Sequence, residues 1–208
     1  MSLNWERYPY HRLSDPIKLY YLIQLGCYFH QLMWCEVTSS RSDALEMILH
    51  HIATITLLSI SYITNFTRIG SLILLTHDVA DFFLEFAKCF NYIKQNNKAY
   101  SKPCGILCDI LFGIFVVVFF VSRLIYYPFY ILNSYFFTKG YCGYDFLGGK
   151  FFSFCLLLLQ CLHVYWFALI VVMVKKLLSP KGIETDCRSD NGSAKEESIK
   201  SGVCQIYV

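Results

Sequence analysis

Apolar residues gather in five long stretches of this chain, at 17–35, 45–66, 69–87, 106–132 and 151–174. Each is close to or longer than the roughly 20 residues that carry an α-helix across a bilayer. Polar positions collect between and after them: a loop at Asn91–Pro103, an aromatic and glycine-rich loop at Asn133–Lys150, and a Ser/Lys/Glu-rich tail from Ser179. The pattern predicts an all-α, polytopic membrane helical bundle over 1–178. The tail, 179–208, is expected to be disordered, because it offers too little apolar surface to offset the entropy of ordering it.

Composition points the same way. The 208 residues are 56% hydrophobic, 18% aromatic and 16% charged, against roughly 45–50% apolar and about 25% charged in a soluble domain. Five spans leave no soluble catalytic domain, so any chemistry must sit among the helices. Met1–Asp15 is polar and aromatic and does not read as a cleavable leader, so the first span is expected to serve for insertion. Cytoplasmic loops collect Lys and Arg. Eleven fall on the side that includes Lys94–Lys102 and the tail, and six on the side that includes Arg68 and Lys150. The carboxyl terminus is therefore expected in the cytosol and the amino terminus in the lumen. The net charge of +3 is spread over the loops, and no basic face suggests a nucleic-acid partner. The ten cysteines fall mostly in or beside spans and read as reduced packing residues.

Ionisable residues inside spans are costly and mark sites of function, and two consecutive spans carry many. In the second, His51, Thr54, Leu58, Ser61, Asn65 and Arg68 follow at steps of three and four, which places them on one helical face, with His50 beside them. In the third, Asp78, Asp81 and Glu85 repeat at the same step, with His77 one turn before Asp81. A bland alternative has Asp and His pairing across helices only to pin the bundle. Two histidines and two or three acids on adjacent helices favour chemistry instead: proton transfer, or nucleophilic attack on an acyl group by imidazole, with an Asp holding the imidazole tautomer. The remaining Asp could pair with a cationic amine. Iron or zinc is the chemical competitor, but six histidines without HxxHH boxes make a poor metal set, and no metal site is assigned. Arg123, in the fourth span, either pairs with a buried acid or substrate group or snorkels to the interface. His163, on the last span beside Tyr165 and Trp166, reads as a packing residue.

The run His50–Tyr92, HHIATITLLSISYITNFTRIGSLILLTHDVADFFLEFAKCFNY, resembles the Lag motif of ceramide synthases within the wider TLC-domain family. The likeness extends to Trp5, Tyr8 and Pro9, to Tyr20–Tyr21–Leu22, to Arg41, Asp43, Glu46 and Met47, and downstream to Arg123–Leu124, Tyr127–Pro128–Phe129 and Leu162–His163–Tyr165–Trp166. The resemblance implies acyl transfer from a fatty acyl-CoA to the amine of a sphingoid base, with acyl-CoA as co-substrate and no bound cofactor. It places the catalytic positions at His50, His51, Asp78 and Asp81, and substrate-binding ones at Ser61, Asn65, Arg68, His77 and Glu85. It further implies a multi-pass protein of the endoplasmic reticulum membrane, in contact with membrane lipids and able to form a homo- or hetero-dimer with other ceramide synthases. One histidine would either accept the acyl group or deprotonate the amine. Ceramide synthases resemble one another in having further upstream segments, so an N-terminally incomplete chain is expected. A non-catalytic lipid-binding or regulatory TLC-type protein is the other reading.

Overall fold

A computed structural model of the chain describes residues 10, 12–37, 43–96, 100–142 and 149–178. The expected disordered tail lies outside these residues, as do the matches at Trp5, Tyr8, Pro9 and Arg41. Every regular element among the described residues is helical: α1 (Asp15–Val37), α2 (Ala44–Ile63), α3 (Thr67–Asn96), α4 (Ser101–Phe119), a π-helical segment (Phe120–Leu132), α5 (Asn133–Cys142) and α6 (Gly149–Leu178). The all-α expectation holds. Two loop expectations do not. Lys94, Gln95 and Asn96 continue α3, and Pro103 sits in the first turn of α4, where a missing N–H costs little. The expected loop at Asn133–Lys150 is helical as far as Cys142. Polarity alone does not stop a helix whose residues keep adequate propensity, and Tyr135 of α5 is anchored by a hydrogen bond to the Gly149 carbonyl (3.1 Å).

Among the described residues, three stretches are long and apolar enough to cross a membrane: Ala44–Ile63, Ser101–Phe137 and Gly149–Lys175. The other two expected spans, 17–35 and 69–87, are helical but do not meet that measure. In α3 the reason is plain, since His77, Asp78, Asp81 and Glu85 interrupt the apolar run.

Two compact units divide the chain, Met1–Ala80 with Val118–Val164, and Asp81–Val117 with Tyr165–Val208. The first is built around a core of Ala53 and Leu57 from α2, Ile69 and Ile73 from α3, Tyr127 and Ile131 from the π segment, Tyr135 from α5, and Phe152, Leu156 and Leu159 from α6. These pairs recur at steps of three and four, the spacing that keeps one helical face inward. A second cluster, Tyr21, Tyr28, Leu58 and Leu74, seats α1. The outward faces stay apolar, with Leu22, Ile23, Phe137, Phe154 and Leu157 all exposed. That distribution suits a hydrocarbon solvent, where backbone polar groups are satisfied within each helix.

The reversal between α2 and α3 takes three residues. Thr64 N–H donates to the Ile60 carbonyl (2.9 Å), Asn65 N–H to Tyr62 (3.3 Å), and Gly70 N–H to Phe66 (3.0 Å) as α3 begins. Asn65 carries the turn at φ 60°, a left-handed conformation that Asn tolerates far better than a branched residue. Within the π segment, Asn133 N–H reaches back to the Pro128 carbonyl, five residues away. Pro128 supplies no N–H of its own, a local fault at which wider helical turns are found.

In the second unit, Ala87, Cys108, Phe112 and Phe115 are buried, and the rings of Phe112 and Phe115 lie 6.0 Å apart.

Candidate functional site

Four imidazoles gather in the first unit. His50 is 7% exposed, His51 4%, His77 2% and His163 0%. Consecutive residues of a helix diverge by about 100°, so burying both His50 and His51 requires cover from two directions. Tyr28 of α1 supplies part of it, with its ring 6.5 Å from that of His50 and 6.0 Å from that of His51. The two imidazoles stand 5.5 Å apart, and His77 of α3 lies 5.8 Å from His50. On the far side of His77, His163 of α6 closes the group at 4.9 Å between ring centroids. Tyr127 stands edge-on to both, 6.2 Å from His77 and 5.0 Å from His163.

The hydrogen bonds fix this arrangement more tightly than the ring contacts. His77 Nδ1 lies 2.7 Å from the Ile73 carbonyl and its Nε2 lies 2.9 Å from Nε2 of His163. Thr54 donates back to the His50 carbonyl (2.8 Å), spending its hydroxyl inside α2. Tyr127 donates to the Leu156 carbonyl (3.2 Å), tying the π segment to α6.

A buried cation completes the site. Arg123, 5% exposed, donates from Nη2 to the His77 carbonyl (3.2 Å) and lies 4.7 Å from the centroid of the Phe119 ring. A guanidinium in apolar surroundings is expensive unless hydrogen-bonded or stacked. Of the two expectations for Arg123, snorkelling to the interface is excluded by this burial.

Asp78 accepts hydrogen bonds from Tyr20 Oη and from Gln24 Nε2 (2.7 Å), two α1 residues one turn apart. Its carboxylate therefore registers α1 against α3. Asp81 and Glu85 belong to the second unit. Glu85, a substrate-binding position by the resemblance, is 62% exposed and pairs with Lys88 at 2.8 Å on its own helix. A contact three residues along a helix satisfies it there.

Three expected substrate-binding residues sit at the α2–α3 turn. Ser61 is buried, and its single hydroxyl hydrogen is shared between the Leu58 carbonyl (3.0 Å) and Tyr21 Oη (3.3 Å). Tyr21 Oη donates in turn to the Thr67 carbonyl (3.0 Å). Asn65 makes the left-handed turn described above, and Arg68 is half-buried one residue into α3. His50 is thirteen residues before the end of α2 and His77 ten after the start of α3. At about 1.5 Å per residue, the turn is roughly 15–20 Å from the imidazoles. The polar stripe is thus separated into a histidine end and a turn end. His163, which reads as a packing residue in the sequence, belongs to the cluster. Its signals there are its place inside the last apolar stretch and the family likeness at Leu162–His163–Tyr165–Trp166. Among the described residues, no group of three or more His, Cys, Asp or Glu side chains is arranged to hold a metal ion.

The TLC-domain model matches residues 1–172. Ceramide synthase 5 of Homo sapiens is 42% identical, covering 93% of this chain and 47% of its own length. Ceramide synthase 4 of Bos taurus is 39% identical over 97% of this chain and 51% of its own length. Ceramide synthase hyl-1 of Caenorhabditis elegans is 34% identical over 90% and 51%. The chain spans about half the length of these curated relatives. The all-helical architecture, the three membrane-length apolar stretches and a match that takes in nearly every described helix lead to one assignment: the chain belongs to the TLC-domain family.

Proposed function

We propose that the chain is a sphingoid-base N-acyltransferase, which moves a fatty acyl group from acyl-CoA to sphinganine or sphingosine to give dihydroceramide or ceramide. The observation that carries this reading is the buried His50–His51 pair, backed by two further imidazoles, in a chain similar to proteins named ceramide synthases. In the reaction the thioester C–S bond breaks and an amide C–N bond forms. The amine loses a proton, a histidine of the pair takes it, and the departing thiolate receives it. In the two-step route the same imidazole first holds the acyl group and then yields it to the amine. Arg123 supplies positive charge in a water-poor setting, where it favours a developing oxyanion far more than it would in solution. Asp78 keeps α1 in register through Tyr20 and Gln24. Long acyl and sphingoid chains suit an apolar helical environment.

The same reading puts the protein in the endoplasmic reticulum membrane with a cytosolic carboxyl terminus, and allows it to pair with itself or a related synthase. The test is acyl transfer from a fatty acyl-CoA to sphinganine, in membranes of cells lacking their own ceramide synthases and expressing this chain at verified levels. Product is expected. His50→Ala, His51→Ala and Asp78→Asn are each expected to abolish it without preventing membrane insertion. Full activity in all three variants refutes the site. No product from the wild-type chain refutes the catalytic reading and favours a lipid-binding or regulatory one.

A further inference from the structure

Both ring nitrogens of His77 are engaged inside the protein, and the engagement dictates where the protons sit. The Ile73 carbonyl can only accept, so His77 Nδ1, 2.7 Å away, carries a hydrogen. In a neutral ring Nε2 is then the acceptor. Its neighbour at 2.9 Å, Nε2 of His163, must donate. The His163 proton therefore sits on Nε2, and its Nδ1 is left as a lone pair. Nδ1 of His163 is a buried atom with no hydrogen-bond partner among the described residues, the outcome expected if the ring's single proton is already used on the other edge.

Such an arrangement sacrifices one buried acceptor to fix the other nitrogen. An apolar residue at 163 would remove that atom but leave Nε2 of His77, a buried acceptor, without its donor. The His77 ring stands directly against His50, with 5.8 Å between centroids. Tyr127 meets both His77 and His163 edge-on, which limits the freedom of each ring to tilt.

We infer that His163 is a positioning residue: its Nε2–H holds His77 as the Nδ1–H tautomer, and His77 so held is the fixed wall that orients His50. His77 has neither a free lone pair nor a free N–H, so it is neither acyl acceptor nor general base. Those roles fall to the His50–His51 pair. The kinetic consequence rests on the acyl-transfer reading, whereas the hydrogen-bond assignment does not.

Two measurements test this. In the first, the full chain is labelled with 15N-histidine, reconstituted in phosphatidylcholine bilayers and studied by solid-state NMR, with His77→Phe and His163→Phe identifying the two rings. His77 is expected to be protonated at Nδ1 and His163 at Nε2. A His77 ring protonated at Nε2 overturns the inference, whether or not the protein turns over substrate. In the second, His163→Gln and His163→Asn are compared at equal membrane levels and equal thermal stability. The Gln amide places an N–H near the Nε2 position, and the shorter Asn amide places one only near Nδ1. His163→Gln is expected to keep kcat within about threefold of wild type. His163→Asn is expected to lose about tenfold in kcat, the size of effect that leaving one buried acceptor unpaired produces, with KM for both substrates unchanged. Equal losses in both variants, or a loss confined to KM, overturn the positioning role. A wild-type chain that makes no ceramide refutes acyl transfer and leaves the NMR result to decide the tautomer.

Discussion

Replacing Gly70 with alanine sets two physical effects against each other, and the structure says which wins. Gly70 lies in the first turn of α3, and on helix propensity alone Ala should stabilise it by up to about 1 kcal/mol. A methyl group there would collide with Tyr21 Oη, lie 2.8 Å from Ser61 Oγ and 3.1 Å from Tyr21 Cζ. Tyr21 is 3% exposed and wedged between α2 and α3, so its ring cannot simply rotate into open space. Accommodating the methyl group means displacing the hydroxyl that donates to the Thr67 carbonyl (3.0 Å) and accepts from Ser61 (3.3 Å). Two hydrogen bonds at about 1 kcal/mol each, plus overpacking at about 1–3 kcal/mol, less the propensity gain, give a net loss of about 2–4 kcal/mol. For a chain of this length that corresponds to a fall in Tm of roughly 5–15 °C. The assay is thermal unfolding of purified protein in detergent, for Gly70→Ala, Tyr21→Phe and the double variant. Removing Tyr21 Oη removes the worst contact and the hydrogen bonds together, so the double variant should be less destabilised than the sum of the singles by about 1–2 kcal/mol. A Tm for Gly70→Ala at or above wild type would refute the close approach of α1 to α3.

Two further predictions concern Asn65 and Glu85, at the α2–α3 turn and on the exposed side of α3. Asn65→Gly should leave stability within about 0.5 kcal/mol of wild type, whereas Asn65→Val should cost about 1–2 kcal/mol, because a branched side chain at φ 60° is strained; the same unfolding assay separates turn geometry from substrate binding. Glu85→Gln should change Tm by less than about 2 °C and leave acyl transfer intact, since an exposed ion pair within one helix is worth about 0.3–0.5 kcal/mol; a large loss of activity would place Glu85 back in the site.

The helices are legible in the sequence because their signal is long and periodic. Ala53, Leu57 and Ser61 on α2, and Ile69, Ile73 and His77 on α3, stand at the spacings that make a buried face readable from residue order alone. The buried stripe ends where the helix ends: Asn65 continues the arithmetic of the stripe but not the helix, because the turn intervenes at Thr64–Phe66. Glu85 leaves the buried face for a different reason. Its spacing from Asp78 and Asp81 is helical, but a stripe drifts around a long helix, and Lys88 satisfies it outside the core. The family likeness takes in His163 but not its partner, since 86 residues separate it from His77 and nothing local distinguishes a satisfied histidine from a paired one. Tyr20, Tyr21 and Gln24 likewise show their roles only once α1 is docked.

That docking links the turn to the histidines. Tyr21 of α1 meets Ser61, with its ring 6.1 Å from that of Tyr62, at the end of α2, and Tyr28, seven residues on, covers His50 and His51 near its start. Two turns of α1 thus run antiparallel along α2, with aromatic residues at both ends of the seam. Along α3 the direction is parallel: Tyr21 bonds Thr67, while Tyr20 and Gln24 bond Asp78, about three helical turns further on. Because α1 is held by the hydroxyls of Tyr20 and Tyr21 and the amide of Gln24, a displacement of α1 at Tyr21 is expected to carry along the helix. A methyl group at Gly70 therefore reaches the imidazoles through Tyr21 and Tyr28, although it lies at the opposite end of the helix pair. The proposed acyl transfer should fall together with Tm in Gly70→Ala and return with it in the double variant, which is how a shift of α1 differs from a local lesion at the turn.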